Sequence, residues 1–260
     1  MRRTSCLSLL LAALWAPSAL AAPKAEPIEW TIGQDTFAGY LVYDDAAKQP
    51  RPGLVMVPNW QGVNESALAK ARQVAGDDYV VLVADVYGKM IRPKNDAEAG
   101  PVATALREDR PTLRARIRKA VEVLKQQPPS LVDASRIGAF GFCFGGSTVL
   151  ELARGGDALA GIVSLHGGLA TDLPAEGAVE SPVLVLNGAD DSYVSAAEIA
   201  AFEDEMKGAG ADWQFVNFSG AVHCFAESDA NNPPGCVYHE RSAKRAYRMM
   251  ADFFRERFAP

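Results

Sequence analysis

The sequence predicts an α/β fold in which helices cover both faces of a mainly parallel sheet. Residues 53–58 and 79–87 are short, continuous apolar runs, as expected of strands buried on both faces. Stretches with helical spacing, residues 65–75 and 195–207 among them, separate such runs and supply the crossovers that parallel strands need. The chain is 260 residues long, 48% hydrophobic and 22% charged. That suits one domain of this class and excludes collagen-like, low-complexity and disordered chains.

The N-terminus reads separately from the fold. Arg2 and Arg3 make a basic start, an uncharged apolar run covers residues 9–16, and Ser18-Ala19-Leu20-Ala21 closes it with small residues. These are the parts of a secretory signal peptide, with cleavage expected after Ala21 and residues 22–260 left as a single domain. The run is shorter than the roughly 20 apolar residues a membrane span needs, and no later stretch is long and apolar enough. A bacterial-type signal places the protein in the periplasm or outside the cell, where disulfides persist. Cleavage removes two arginines and one of the four cysteines, so the exported chain is more acidic than the full sequence at −6. It keeps Cys143, Cys224 and Cys236. An acidic chain argues against nucleic acid or an anionic membrane surface as main partner.

The elements follow in order. Residues 28–42 read as two strands turning at Gly33-Gln34-Asp35, and residues 53–58 as the first fully buried strand. Residues 65–75 form a helix with Asn64 as its N-cap. The buried strand at 79–87 leads into residues 101–127, read as one long charged helix. A strand at 136–142 runs almost directly into a helix at 146–154. Strands at 161–165, 182–186 and 213–218 and amphipathic helices at 195–207 and 240–258 complete the pattern. No repeat or linker interrupts it.

In open α/β sheets the chemistry lies beyond the carboxyl ends of the strands, and three such ends carry reactive side chains. Gly141-Phe142-Cys143-Phe144-Gly145-Gly146 joins a strand to a helix. A nucleophile there sits on a tight turn at a helix N-terminus, which favours a thiolate, and the glycines to either side let strand and helix approach. This is the nucleophile elbow of α/β-hydrolases with Cys in place of Ser. The Phe144 backbone N–H points where an oxyanion would form. A structural cysteine beside a glycine-rich turn is the plainer alternative.

The second strand end is Gly188-Ala189-Asp190-Asp191, where an acid can orient a histidine. Asp191 is preferred because it stands in a Gly-x-x-Asp-x-x-Val pattern, while Asp190 suits a turn. His223 follows the third strand in the loop Ser219-Gly220-Ala221-Val222. His166 also ends a strand but precedes the acid, and is expected to shape the pocket or bond to backbone; His239 opens the last helix. The order nucleophile, acid, histidine is that of the α/β-hydrolase triad.

The Gly-Phe-Cys-Phe-Gly-Gly elbow, the Gly-Ala-Asp-Asp turn, the Gly-x-x-His-x-Phe segment and Asp85-Val86-Tyr87 together resemble the dienelactone hydrolase family over residues 28–258. The resemblance implies hydrolysis of a small ester or lactone through a thioester acyl-enzyme, without metal or cofactor. It implies Cys143 as nucleophile, His223 as general base and Asp191 as its orienting acid. The backbone N–H groups of Trp60 and Phe144 would form the oxyanion hole.

Two positions depart from the family pattern. Asn59 stands where the dienelactone enzyme has a Glu that takes the thiol proton, so His223 is expected to activate Cys143 directly. Glu227 stands near the place of a substrate-pairing Arg, which leaves Lys89 as the candidate cation, unless it is a solvated surface lysine. Asn59, Tyr87, Lys89, His166 and Tyr193 are expected to line the substrate pocket, made aromatic by Trp60, Phe142 and Phe144. Cys224 and Cys236 are expected to close a disulfide loop over the site, against two free thiols or a Cys143–Cys224 pairing. A small ester or lactone is the expected partner, with the chain a monomer or small homo-oligomer. The competing reading is a non-catalytic small-ligand-binding protein of the same fold, with Cys143 inactive or oxidised.

Overall fold

A computed structural model of the chain describes residues 23–76 and 78–259; the expected signal peptide lies outside them. The described chain opens with a hairpin, β1 (Lys24–Ile32) and β2 (Asp35–Tyr43), turning at Gly33 with φ +58°. Then come β3 (Arg51–Val57), α1 (Glu65–Ala75) and β4 (Val80–Val83). Helices α2 (Asp96–Glu108) and α3 (Arg110–Lys125) precede β5 (Val132–Phe142), which passes into α4 (Phe144–Arg154). The rest comprises β6 (Gly161–Leu165), β7 (Val183–Gly188), α5 (Ala196–Gly208), β8 (Trp213–Phe218), the short β9 (Asn231–Asn232) and β10 (Cys236–Val237), and α6 (Glu240–Arg257).

Among the described residues the main sheet has eight strands in the order β1-β2-β4-β3-β5-β6-β7-β8. The hairpin and the β2–β4 pair are antiparallel, and every pair from β4 to β8 is parallel. The continuous apolar runs follow from two covered faces. On β3, Val55 and Val57 pack in one core with Ile117 of α3, Leu150 of α4 and Phe202 of α5. Leu54 and Met56 point the other way, into a core with Leu68 of α1 and Phe254 of α6. This is the α/β-hydrolase fold, and it brings the C-terminal ends of β3, β5, β7 and β8 to one edge. Among the described residues no helix is long and apolar enough to cross a membrane.

Two boundaries differ from the sequence expectation. Residues 101–127 are not one helix. Asp109 ends α2 with φ −118° and ψ 69°, accepts the Thr112 N–H and so caps α3, while Pro111 occupies its first turn. Helical spacing continues across the break, and the capping signal is local. The strand expected at 79–87 stops at Val83, because Asp85 turns its carboxylate onto the N–H groups of Ala38, Tyr87 and Gly88. By contrast, Asn64 caps α1 through the Ala67 N–H, as the sequence indicates.

Candidate active site

Cys143 stands alone between β5 and α4 with φ 53° and ψ −116°, a left-handed conformation costly for a non-glycine residue. Close packing on both sides holds it there. A Cβ built on Gly145 would lie 2.0 Å from the Val57 carbonyl oxygen, and one on Gly141 would lie 2.3 Å from the Gly145 carbonyl carbon. Only glycine lets α4 start so near β3. The Cys143 N–H is shared between the Leu165 carbonyl at 3.0 Å and His166 Nδ1 at 3.2 Å. The Cys143 carbonyl accepts the Ser147 N–H. No side chain caps α4, so its first N–H groups, Phe144 included, are left for another acceptor.

The three predicted strand ends converge. His223 Nε2 lies 3.0 Å from Cys143 Sγ, and His223 Nδ1 lies 2.7 Å from Asp191 Oδ2. Asp191 is buried and its other oxygen accepts the Tyr193 N–H, whereas Asp190 is exposed and meets Ala221 only through its backbone. Burial opposes charge on His223, but the hydrogen bonds to Asp191 and Cys143 outweigh it and push the ring up to about 10. The protonated imidazole is thus favoured where it lies, between the sulfur and the carboxylate.

The histidine loop is tied down covalently. Cys224 and Cys236 form a disulfide, leaving Cys143 as the free cysteine among the described residues. The Val237 N–H donates to the His223 carbonyl beside that bond, and β9 and β10 form the small hairpin that carries Cys236. Tyr193, 65% exposed, packs edge-on against His223 with ring centroids 5.0 Å apart, at the mouth of the site.

The loop after β3 is fixed by its own contacts. Asn59 Oδ1 accepts the Gln61 N–H, the Asn59 carbonyl accepts the Gly62 N–H, and the Tyr87 hydroxyl donates to the Trp60 carbonyl at 2.9 Å. The Tyr87 ring lies 5.5 Å from that of Phe144, joining this loop to the elbow.

Several expected pocket residues take other places. Lys89 is paired with Glu29 of β1 at 2.7 Å and is a surface lysine, because the chain has turned away from the site at Asp85. His166 is fully buried behind the elbow, where it takes the second of its two expected roles and accepts the Cys143 backbone N–H instead of lining the pocket. Phe142, Phe144 and Tyr87 are buried too, so the aromatic groups form a packed support and only Trp60 and Tyr193 of the set reach solvent. The Asn59 side chain turns inward to donate to Glu227 Oε2 at 2.6 Å. A polar groove of about 680 Å³, lined by Asn59, Gln61, Ser66, Lys94 and Asp229 among others, flanks the loop; none of the three converging side chains lines it.

One group was not anticipated. Lys70 of α1 and Glu227, both buried, pair at 3.2 Å directly behind Asn59 and His166. Burial pushes the Glu227 carboxyl up, against the pull of Lys70. Its one sequence signal was a lysine on the same helical face as Ala67, Leu68 and Ala71, the face α1 buries.

Residues 37–258 match the model of the dienelactone hydrolase family. A solved structure called m3DLH is 36% identical, with a TM-score of 0.86 over 92% of this chain and all of the other. A solved dienelactone hydrolase-like promiscuous phosphotriesterase from metagenomic libraries is 34% identical, with a TM-score of 0.84 over 92% of this chain and all of the other. A Salmonella typhimurium protein named "Putative carboxymethylenebutenolidase" is 24% identical over 85% of this chain and 83% of its own length. With the family model matched across β2 to α6, the chain belongs to the dienelactone hydrolase family.

Proposed function

We propose that the protein is an exported hydrolase of small esters or lactones that works through Cys143, His223 and Asp191 and a thioester acyl-enzyme. The relay from Asp191 through His223 to a cysteine on a strained elbow, at 2.7 and 3.0 Å, carries the reading. His223 Nε2 holds the proton of the Cys143 thiol, and the sulfur attacks the substrate carbonyl carbon. A C–S bond forms, and the carbonyl oxygen becomes an oxyanion facing the Phe144 and Trp60 N–H groups. Collapse breaks the ester C–O bond, and His223 gives its proton to the departing oxygen. Water then loses a proton to His223 and attacks the thioester, which breaks the C–S bond. The acid leaves, and the returned proton restores the starting pair. Asp191 fixes the ring tautomer and stabilises the imidazolium throughout.

With an amide at position 59, the 3.0 Å contact supports direct activation of Cys143 by His223. Export is supported by the pattern of residues 1–21 and by the Cys224–Cys236 bond. The test is p-nitrophenyl acetate hydrolysis by wild type and Cys143→Ala, with mass spectrometry of the quenched wild-type enzyme. An acetyl adduct on Cys143 and loss of turnover in the variant are expected. Equal rates would remove the nucleophile, and ligand binding without any adduct would favour the non-catalytic reading.

A further inference from the structure

Glu227 is 2% exposed and reaches three separate parts of the site. Its Oε2 accepts from Asn59 Nδ2 at 2.6 Å, on the loop carrying Trp60, and pairs with Lys70 at 3.2 Å. Among the described residues its Oε1 has no hydrogen-bond partner and faces His166 Nε2, also without one, at 3.8 Å. His166 Nδ1 accepts the Cys143 N–H, so the neutral ring carries its proton on Nε2, the nitrogen turned toward Glu227. Burial, and then the charge on His223, keep that ring neutral. Glu227 itself stands four residues beyond His223, in the loop closed by the disulfide, its N–H on the Cys224 carbonyl.

We infer that Glu227 is a positioning residue for the oxyanion hole: through Asn59 it sets the Trp60 loop, and through His166 it backs the turn that presents the Phe144 N–H. One carboxylate thus registers the two N–H donors against each other, from a place that no substrate reaches. The inference rests on the Cys143 reading above. A buried ion pair is weak evidence for stability, since neutral replacements of similar shape often leave a protein as stable or more so. The contacts to Asn59 and His166 therefore need a role that Lys70 alone does not explain.

The variants are Glu227→Gln and Lys70→Met/Glu227→Gln. A glutamine presents an amide N–H₂ to donors on at least one side, so it cannot serve Asn59, Lys70 and His166 together. The double variant also removes the Lys70 ammonium, which in the single variant keeps Asp229 at 3.0 Å and Ser66 as partners, so a loss common to both variants does not come from an altered ion pair. Both are expected to lower kcat for p-nitrophenyl acetate by about 10- to 100-fold with KM little changed, part of the cost of losing an oxyanion donor outright. The rate of Cys143 alkylation by iodoacetamide, a reaction with no oxyanion, is expected to stay within about twofold of wild type, a readout that general disruption of the fold would lower as well. A folded double variant with wild-type kcat would overturn the inference, as would parallel losses in alkylation and hydrolysis. If the wild type itself shows no Cys143-dependent hydrolysis, it is the functional reading that fails.

Discussion

Gly145→Ala tests how far the activity depends on the approach of α4 to β3. The added methyl would stand 2.0 Å from the Val57 carbonyl oxygen and 2.4 Å from that of Pro58, where ordinary contact is 3.4–4 Å. Both obstacles are backbone, so no rotamer relieves them, and α4 must move from β3 by more than about 1 Å. Overpacking of this kind costs about 1–3 kcal/mol, and a rigid backbone contact belongs at the upper end. The displacement opens the gap between Phe144 N–H and the loop that follows Pro58, so the two proposed oxyanion donors separate. A shift near 1 Å is worth about 100-fold in rate. Urea denaturation and p-nitrophenyl acetate turnover, with Gly208→Ala as control because its added methyl meets nothing within 4 Å, measure both effects. If Gly145→Ala matched the control in midpoint and kcat, the elbow would not be the close-packed element described.

Three further outcomes follow from the site. Asp191→Asn should lower kcat by about 10⁴-fold, as loss of the orienting acid does in serine triads, while exposed Asp190→Asn stays near wild type; the reverse ranking would reassign the acid. The folded His223 ring keeps its proton to about 10 against an ordinary 6.5, so between these values the folded state binds more protons than the unfolded one. Its contribution to stability is fully present below pH 6.5 and is lost as pH rises through about 10, so the unfolding free-energy gap between wild type and His223→Gln should narrow over that window and not widen. Cys224→Ser/Cys236→Ser opens a closure of sequence separation 12, worth at most about 3 kcal/mol in the chain-entropy model. Urea midpoints should fall accordingly, and kcat with them because the His223 carbonyl is held beside that bond. A variant indistinguishable from wild type would deny the loop any part in holding the histidine.

The parts of the molecule legible in the sequence are those governed by short-range signals. Glycines two positions either side of Cys143, the Gly-x-x-Asp turn and the loop before His223 each follow a strand, and the fold brings the three ends together without further information. Asn64 declares α1 by the same local logic. Helical spacing across residues 101–127 hides the break at Asp109, although Asp109-Arg110-Pro111 is itself a stop and start. Lys89 lies two residues beyond Tyr87 in sequence, but the turn made by the Asp85 carboxylate carries it to Glu29. The burial of Phe142 and Phe144 has a different reason. Composition names the rings near a site but not the side of the backbone they take, and Phe142 and Phe144 go into opposite cores.

The two departures from the family pattern, at Asn59 and Glu227, are one feature. They are separated by 168 positions, so no window of sequence joins them, yet the amide donates to the carboxylate at 2.6 Å. This contact explains why an acid at position 59 would not simply restore a proton acceptor. Asn59→Glu would set a second carboxylate against the buried Glu227, whose charge burial already opposes and Lys70 at 3.2 Å offsets. Asn59→Glu/Glu227→Gln removes the like-charge contact and reverses the bond, the glutamine amide now donating to the new carboxylate. Urea unfolding of the two single variants and the pair should therefore be non-additive, the double variant recovering about 0.5–3 kcal/mol of the sum of the single losses, the range found for residues in contact. Additive losses would mean that the two positions vary independently, and that Glu227 answers to Lys70 alone.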